Sequence, residues 1–235
     1  MIKKYLYTGD DVAGDIRLKY DFDGDLAEIY ATTRDYLVHK WHHYIPLYDR
    51  YFGKYRGTPV KFLEIGVSKG GSLQMWRRYL GGEAVIFGID IDKSCAAFDG
   101  VSGQVRIGSQ TDAAFLADVV EEMGGVDVLL DDGSHRMSHI AESLQLLYPR
   151  LSVGGTYMIE DLHAAYWKGF EGGYDAEANF FNVIRRILDD MHERYHHKGL
   201  HLPQMEGAVS GVHVHDSLAV IEKDAIHPPT HSKVQ

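Results

Sequence analysis

Asp132, His135, Glu160 and Asp161 are the residues of this chain whose types and spacing could do chemistry. Asp131-Asp132-Gly133-Ser134-His135 follows one apolar run, Val126 to Leu130, and Glu160-Asp161 follows another, Thr156 to Ile159. Carboxylates offered from neighbouring strand ends supply only oxygen ligands, which favours Mg²⁺, with Mn²⁺ as a substitute, over zinc. The plainer alternative for the same residues is a solvated acidic rim, or an Asp capping the next helix. His135 lies three residues past Asp132 in the same loop, within reach of a hydroxyl held there, and imidazole is the side chain suited to taking a proton near neutral pH. His139, one helical turn on, is the fallback base. A cation beside such a hydroxyl would stabilise developing alkoxide charge. The chemistry expected is metal-assisted group transfer to a hydroxyl.

Those loops need strands to carry them. Val60 to Ile65, Ala84 to Asp90, Val105 to Ile107, Val126 to Leu130 and Thr156 to Ile159 are short apolar runs, expected as five strands. Between them, Leu73, Trp76 and Leu80, then Phe115, Leu116, Val119, Val120 and Met123, then Ile140, Leu144 and Leu147, recur at helical spacing. Pro149 and a Gly154-Gly155 turn are expected to end the last of these helices. Alternating strands and helices of this kind build a parallel sheet covered on both faces, with ligands beyond the carboxyl ends of the strands. Upstream, Asp23 to Gly57 reads as two helices. Downstream, Phe180 to Met191 reads as a helix, and Val212 to Val214 with Leu218 to Ile221 reads as a hairpin turning at His215-Asp216-Ser217. The chain is thus divided into a helical extension over residues 1–57, a core over 58–224 and a flexible tail over 225–235.

Gly66, Gly70 and Gly71, between the first strand and its helix, let backbone approach a nucleoside cofactor where a Cβ would obstruct it. Asp90 ends the second strand, where a carboxylate can accept hydrogen bonds from both hydroxyls of a ribose. Asp92 is read as a solvated neighbour or a helix cap.

The whole-chain composition excludes several classes. A formal charge of −10 over 235 residues, with no basic run, opposes a nucleic-acid substrate. No apolar stretch nears the roughly 18 residues that span a membrane, and no signal-peptide core follows Met1, so a cytoplasmic location is expected. Cys95, the single cysteine, is read as a small packed residue. His192, His196, His197 and His201 are read as a solvated or substrate-lining cluster, because no carboxylate or cysteine completes a zinc pattern in the sequence. His42-His43-Tyr44 and Tyr166-Trp167 suit the flanks of a sugar, or equally the core. Aromatic helices near the N-terminus point to a homodimer.

In order, Leu63-Glu64-Ile65-Gly66 with Gly70-Gly71-Ser72, Gly88-Ile89-Asp90, Asp131 to His135, and Ile159 to His163 resemble the class I S-adenosylmethionine-dependent methyltransferases, and within them the metal-dependent sugar O-methyltransferases of macrolide and glycoside tailoring. The resemblance covers about residues 60 to 223. It implies a Rossmann-like α/β seven-stranded sheet, mostly parallel with a C-terminal antiparallel hairpin. It further implies S-adenosyl-L-methionine and Mg²⁺ as cofactors, with Glu64 and Ser72 facing the methionine part, Asp90 the ribose, and Ser109 and Gln110 the adenine. Asp132, Glu160 and Asp161 would hold the metal and His135 would be the base. Asp131 would face the cofactor's ammonium or share the metal. The length and short N-terminal extension invite comparison with mycobacterial enzymes that methylate mannosides during methylmannose polysaccharide assembly, whereas the macrolide members carry a further N-terminal domain. The implied acceptor is a glycoside, such as a 3-O-methylmannoside. A catechol methyltransferase, an NAD-dependent oxidoreductase and a non-catalytic, cofactor-binding partner of a hydroxylase are the rival readings. Gly66-x-x-x-Gly70-Gly71 departs from the Gly-x-Gly-x-x-Gly spacing of NAD sites, which counts against the oxidoreductase.

Overall fold

The computed structural model describes residues 5–197, 199–206 and 208–234, and the chain divides into two compact units, Met1–Ser109 and Gln110–Gln235. In the first unit, helices α1 (Val12–Tyr20), α2 (Leu26–Ala31) and α3 (Tyr44–Phe52) precede the strands. The two helices expected between Asp23 and Gly57 are α2 and α3. α1 was not expected, because only Ala13 and Ile16 of its residues are buried and its apolar periodicity is faint. Asp11 starts α1 by accepting the Gly14 amide at 2.7 Å. α3 supplies an aromatic core: the Tyr48 ring meets Trp76 edge-on at 5.0 Å, and Phe52 meets Phe62 edge-on at 5.6 Å.

Strands β1 (Lys61–Ile65), β2 (Val85–Asp90) and β3 (Gln104–Ile107) pair in parallel, and α4 (Gly71–Leu80) connects the first two. The bounds match the expected runs to within a residue. Gly71 is a close-approach glycine. A Cβ there would stand 2.4 Å from the carbonyl oxygen of Leu37, so the segment leading into α3 lies directly on the start of α4.

The second unit carries α5 (Ala113–Met123), β4 (Val126–Asp131), α6 (Met137–Leu147), β5 (Leu151–Ile159), α7 (Phe180–Met191), β6 (Val209–His215) and β7 (Leu218–Lys223). β4 and β5 are parallel, while β7 runs antiparallel to both β5 and β6. The seven strands form one sheet in the order β3-β2-β1-β4-β5-β7-β6. The expected closing hairpin is therefore present, with Ser217 at φ 63° in its turn.

One expectation is corrected. Gly154-Gly155 does not end α6; a 3₁₀ turn over Tyr148–Arg150 does, and β5 begins at Leu151. The two glycines lie inside β5, where the register against β4 shifts between Val126 and Val128, and Gly154 has φ +84°. A bulge uses glycine for the same conformational reason as a turn, and the sequence does not separate the two.

Candidate active site

β1 delivers Glu64 to the core. Its side chain is fully buried; Oε2 accepts the Ser72 hydroxyl at 2.8 Å and Oε1 accepts the Trp76 indole N–H at 3.2 Å. Lys40, also buried, brings its ammonium to 3.8 Å from Oε1. Sequence reasoning missed Lys40, which lies in a helix-free segment with no periodicity to mark it.

The turn after β1 carries Gly66 at φ +100° and Gly70 at φ +76°. Asp90 holds this turn from the end of β2. Its Oδ2 accepts the Ser68 amide and its Oδ1 the Asp92 amide, both at 2.9 Å. An ionised carboxylate has about four acceptor positions, so these two backbone bonds do not use up its capacity for the hydroxyls of a ribose. Asp92 caps the 3₁₀ turn over Lys93–Phe98 by accepting the Ser94 amide. Cys95 is buried against the Ser68 carbonyl, and burial pushes its thiol up to about 11, which makes it a poor nucleophile.

In the second unit, Asp131 ends β4 and is buried. Ser143 donates its hydroxyl to Oδ2 at 2.6 Å, Gln110 its amide to Oδ1 at 3.3 Å, and Gly133 its N–H to Oδ1 at 3.3 Å. Burial raises the carboxyl above the usual range, with the Ser143 and Gly133 donors opposing the shift. Gln110, expected at an adenine edge, turns its amide inward: Nε2 serves Asp131, and Oε1 accepts the Ser134 amide at 2.9 Å. Asp131 and Gln110 together pin the loop that follows β4. Ser109 is half-buried just after β3.

That loop presents Asp132 and His135, and the end of β5 presents Asp161. These three offer ligand atoms within 4.8 Å of one another. His135 Nε2 is 3.8 Å from Asp132 Oδ1 and 3.9 Å from Asp161 Oδ2, beyond hydrogen-bonding distance. His135 and Asp161 both take the left-handed conformation, at φ 56° and 54°. Strain of this kind is retained where surrounding structure fixes it, and here it falls on two of the three converging groups. The two carboxylates, Asp132 and Asp161, are oxygen donors that fit a hard divalent cation, and the His135 imidazole stands beside them. Of the expected ligands, Asp132 and Asp161 converge. The Glu160 carboxylate lies outside this group, on a buried residue whose amide donates to the Asp131 carbonyl at 2.9 Å, and His135, expected as the base, joins it.

Aromatic and polar neighbours line the same loops. Phe170 lies 6.4 Å from the His135 ring, and Trp167 packs edge-on against His163 at 4.7 Å. His163 shares a 2.5 Å hydrogen bond with Ser217 in the hairpin turn, and His139 shares one of 2.9 Å with Ser134. Tyr44 belongs to the core, and His42 is held by Asp15 at 2.7 Å.

Glu171 locks the start of α6. It accepts the Ser138 hydroxyl and amide and the Arg136 guanidinium, and these donors hold its carboxyl down from 4.5 to about 2. A depressed carboxyl contributes stability that is complete above its unfolded value and is lost as pH falls through the folded one. Acid titration of unfolding should therefore show a loss between about pH 4.5 and 2, and Glu171→Gln should remove that part of the profile.

In the histidine-rich segment after α7, His192, His196, His197 and His201 are exposed, as expected of a solvated cluster. Carboxylates absent from the sequence spacing are supplied by the fold: Asp190 and Glu193 face His201 as a second group of convergent ligand atoms.

Residues 63–162 match the family model described as a methyltransferase domain. The chain is 35% identical over 221 residues to the demethylmacrocin O-methyltransferase of Streptomyces fradiae, covering 85% of this chain and 53% of the relative. It is 36% identical over 214 residues to the 8-demethyl-8-(2-methoxy-alpha-L-rhamnosyl)-tetracenomycin-C 3'-O-methyltransferase of Streptomyces olivaceus, covering 85% and 54%. The chain thus spans about half the length of the curated relatives it matches. Among solved structures it is similar to MycE methyltransferase from the mycinamycin biosynthetic pathway in complex with Mg and SAH, with a TM-score of 0.72 at 32% identity over 86% of this chain and 55% of that one. The complex that also holds mycinamycin VI gives 0.76 at 28% identity, over 93% and 62%. The strand order, the closing hairpin and these likenesses identify residues 63–162 as a methyltransferase domain.

Proposed function

We propose that this chain is an O-methyltransferase that moves the methyl group of S-adenosylmethionine to a sugar hydroxyl with the help of Mg²⁺. The convergence of Asp132, His135 and Asp161 at strand ends of a methyltransferase domain carries the reading. The sugar O-methyltransferase relatives, and a solved relative that holds Mg and SAH, support it.

Glu64, Gly66, Ser72 and Asp90 orient the nucleoside cofactor, with Asp90 accepting its ribose hydroxyls. Asp132 and Asp161, with Glu160 behind them, hold the cation. When bound, the cofactor supplies an electrophilic methyl and the cation supplies charge that offsets the negative charge developing on the hydroxyl oxygen. His135 takes the hydroxyl proton on Nε2. Phe170 and Trp167 flank the acceptor and exclude water. The acceptor we favour is a mannoside carrying a 3-O-methyl group, as in methylmannose polysaccharide biosynthesis, and the setting is cytoplasmic with the chain as a homodimer. Among the described residues, no helix is long and apolar enough to cross a membrane.

Labelled S-adenosylmethionine offered with a panel of mannosides, other glycosides and catechols, in Mg²⁺ or in EDTA, tests this. The expected result is labelling of a glycoside that chelation abolishes; labelling that survives EDTA, or is confined to catechols, would overturn it. Asp161→Asn keeps a residue that tolerates the left-handed conformation while removing the charge. It should raise the Mg²⁺ concentration for half-activation by at least the roughly 10–100-fold that losing an outer-shell partner costs.

A further inference from the structure

We propose that Asp190, Glu193 and His201 form a second divalent-cation site, of the tetrahedral nitrogen–oxygen type that takes Zn²⁺, which clamps the segment between α7 and β6. It stands apart from the methyl-transfer reading and uses none of its residues.

Asp190 is the anchor. It is only 3% exposed, in the last turn of a 12-residue helix that has no basic residue in that turn. Arg185 pairs with Asp189, and Arg186, one helical turn before Asp190, is exposed. Carbonyl dipoles at a helix C-terminus disfavour an anion, so a buried carboxylate here calls for a positive partner. Its Oδ1 accepts the Leu202 amide at 2.6 Å, whereas Oδ2 is buried without a hydrogen-bond partner.

His201 Nδ1 faces this carboxylate at 3.5 Å from Asp190 Oδ1, and faces Glu193 Oε2 at 3.3 Å. An imidazolium bonded to a carboxylate would close to about 2.7–2.9 Å. Donors about 2.0–2.2 Å from a tetrahedral zinc lie roughly 3.3–3.6 Å apart, which is the spacing of His201 Nδ1 to each of the two carboxylates. One imidazole with two carboxylates is a borderline donor set that suits Zn²⁺ better than Mg²⁺. Asp190 and Glu193 come from the end of α7 and the turn after it, and His201 from the approach to β6. An ion there would tie both ends of residues 190–202, the segment that Asp190 already grips through Leu202.

The test is calorimetric titration of the chelator-stripped full chain with Zn²⁺, in excess Mg²⁺ to occupy the Asp132–Asp161 group. The parent and Asp132→Ala should each bind Zn²⁺ with similar affinity, and His201→Ala and Glu193→Gln should each weaken it at least tenfold. Both variants change partly exposed residues, so their folding is checked by circular dichroism. Co²⁺ in place of Zn²⁺ should give the intense visible bands of tetrahedral coordination in the parent and lose them in His201→Ala, and Zn²⁺ should raise the unfolding midpoint of the parent and of Asp132→Ala more than that of His201→Ala. Zn²⁺ affinity unchanged in His201→Ala, a signal lost only in Asp132→Ala, or no Zn²⁺ binding would each overturn the site.

Discussion

His135→Asn should lower the rate of methyl transfer by roughly 10²–10⁴-fold, the range for loss of a positioned general base. Asparagine is the informative replacement because His135 sits at φ 56°, a conformation that Asn adopts readily and Ala does not. The loop should then keep its path, held from below by Gln110 on the Ser134 amide and by Asp131 on the Gly133 amide. Affinity for S-adenosylmethionine, measured by calorimetry, should stay near the parent value. A variant that kept the parent's rate would remove His135 as the base and turn attention to His139, which lies one helical turn on and bonds Ser134.

Glu64→Leu should destabilise the fold by about 3–5 kcal/mol, the cost of leaving one member of a buried ion pair without its partner. Lys40 and Glu64 are both almost wholly buried, at 5% and 0% exposure. The Ser72 hydroxyl and Trp76 indole would lose their acceptor at the same time. Adding Lys40→Met should recover a substantial part of the loss, because it removes the stranded charge, but not all of it, since the two neutral donors stay unsatisfied. Denaturant unfolding of the two single variants and the double variant measures the coupling directly. Strictly additive losses would show that the pair does not act as a unit.

Strand periodicity made most of the sheet legible in the sequence, because buried parallel strands are written as short apolar runs between helix-forming stretches. α1 escaped because it buries two residues, and the Gly154-Gly155 bulge escaped because glycine marks turns and bulges alike. Asp132, His135 and Asp161 were legible from their places at strand ends. The hydrogen bond between Gln110 and Asp131 was not, because it joins residues 21 positions apart that no periodicity links. Lys40 and Asp190 were hidden for a related reason, since their significance lies in burial, which depends on residues distant along the chain. The carboxylates near His201 were hidden in the same way. They were present in the sequence, but no helical or loop spacing joined Asp190 and Glu193 to His201.

The sheet order also constrains how the chain is made. β5 finds its outer neighbour in β7, pairing Thr156 with Glu222 and Ile159 with Ala219, so that edge stays open until residues some sixty positions later have left the ribosome. Tyr157, Met158 and Ile159 are all buried in the finished fold, and while β7 is missing they belong to an uncovered apolar strand edge. Such edges recruit other chains. Premature stops ahead of Leu218 should therefore yield polypeptides that clump during synthesis, and slow translation through residues 160–217 should increase demand for chaperones.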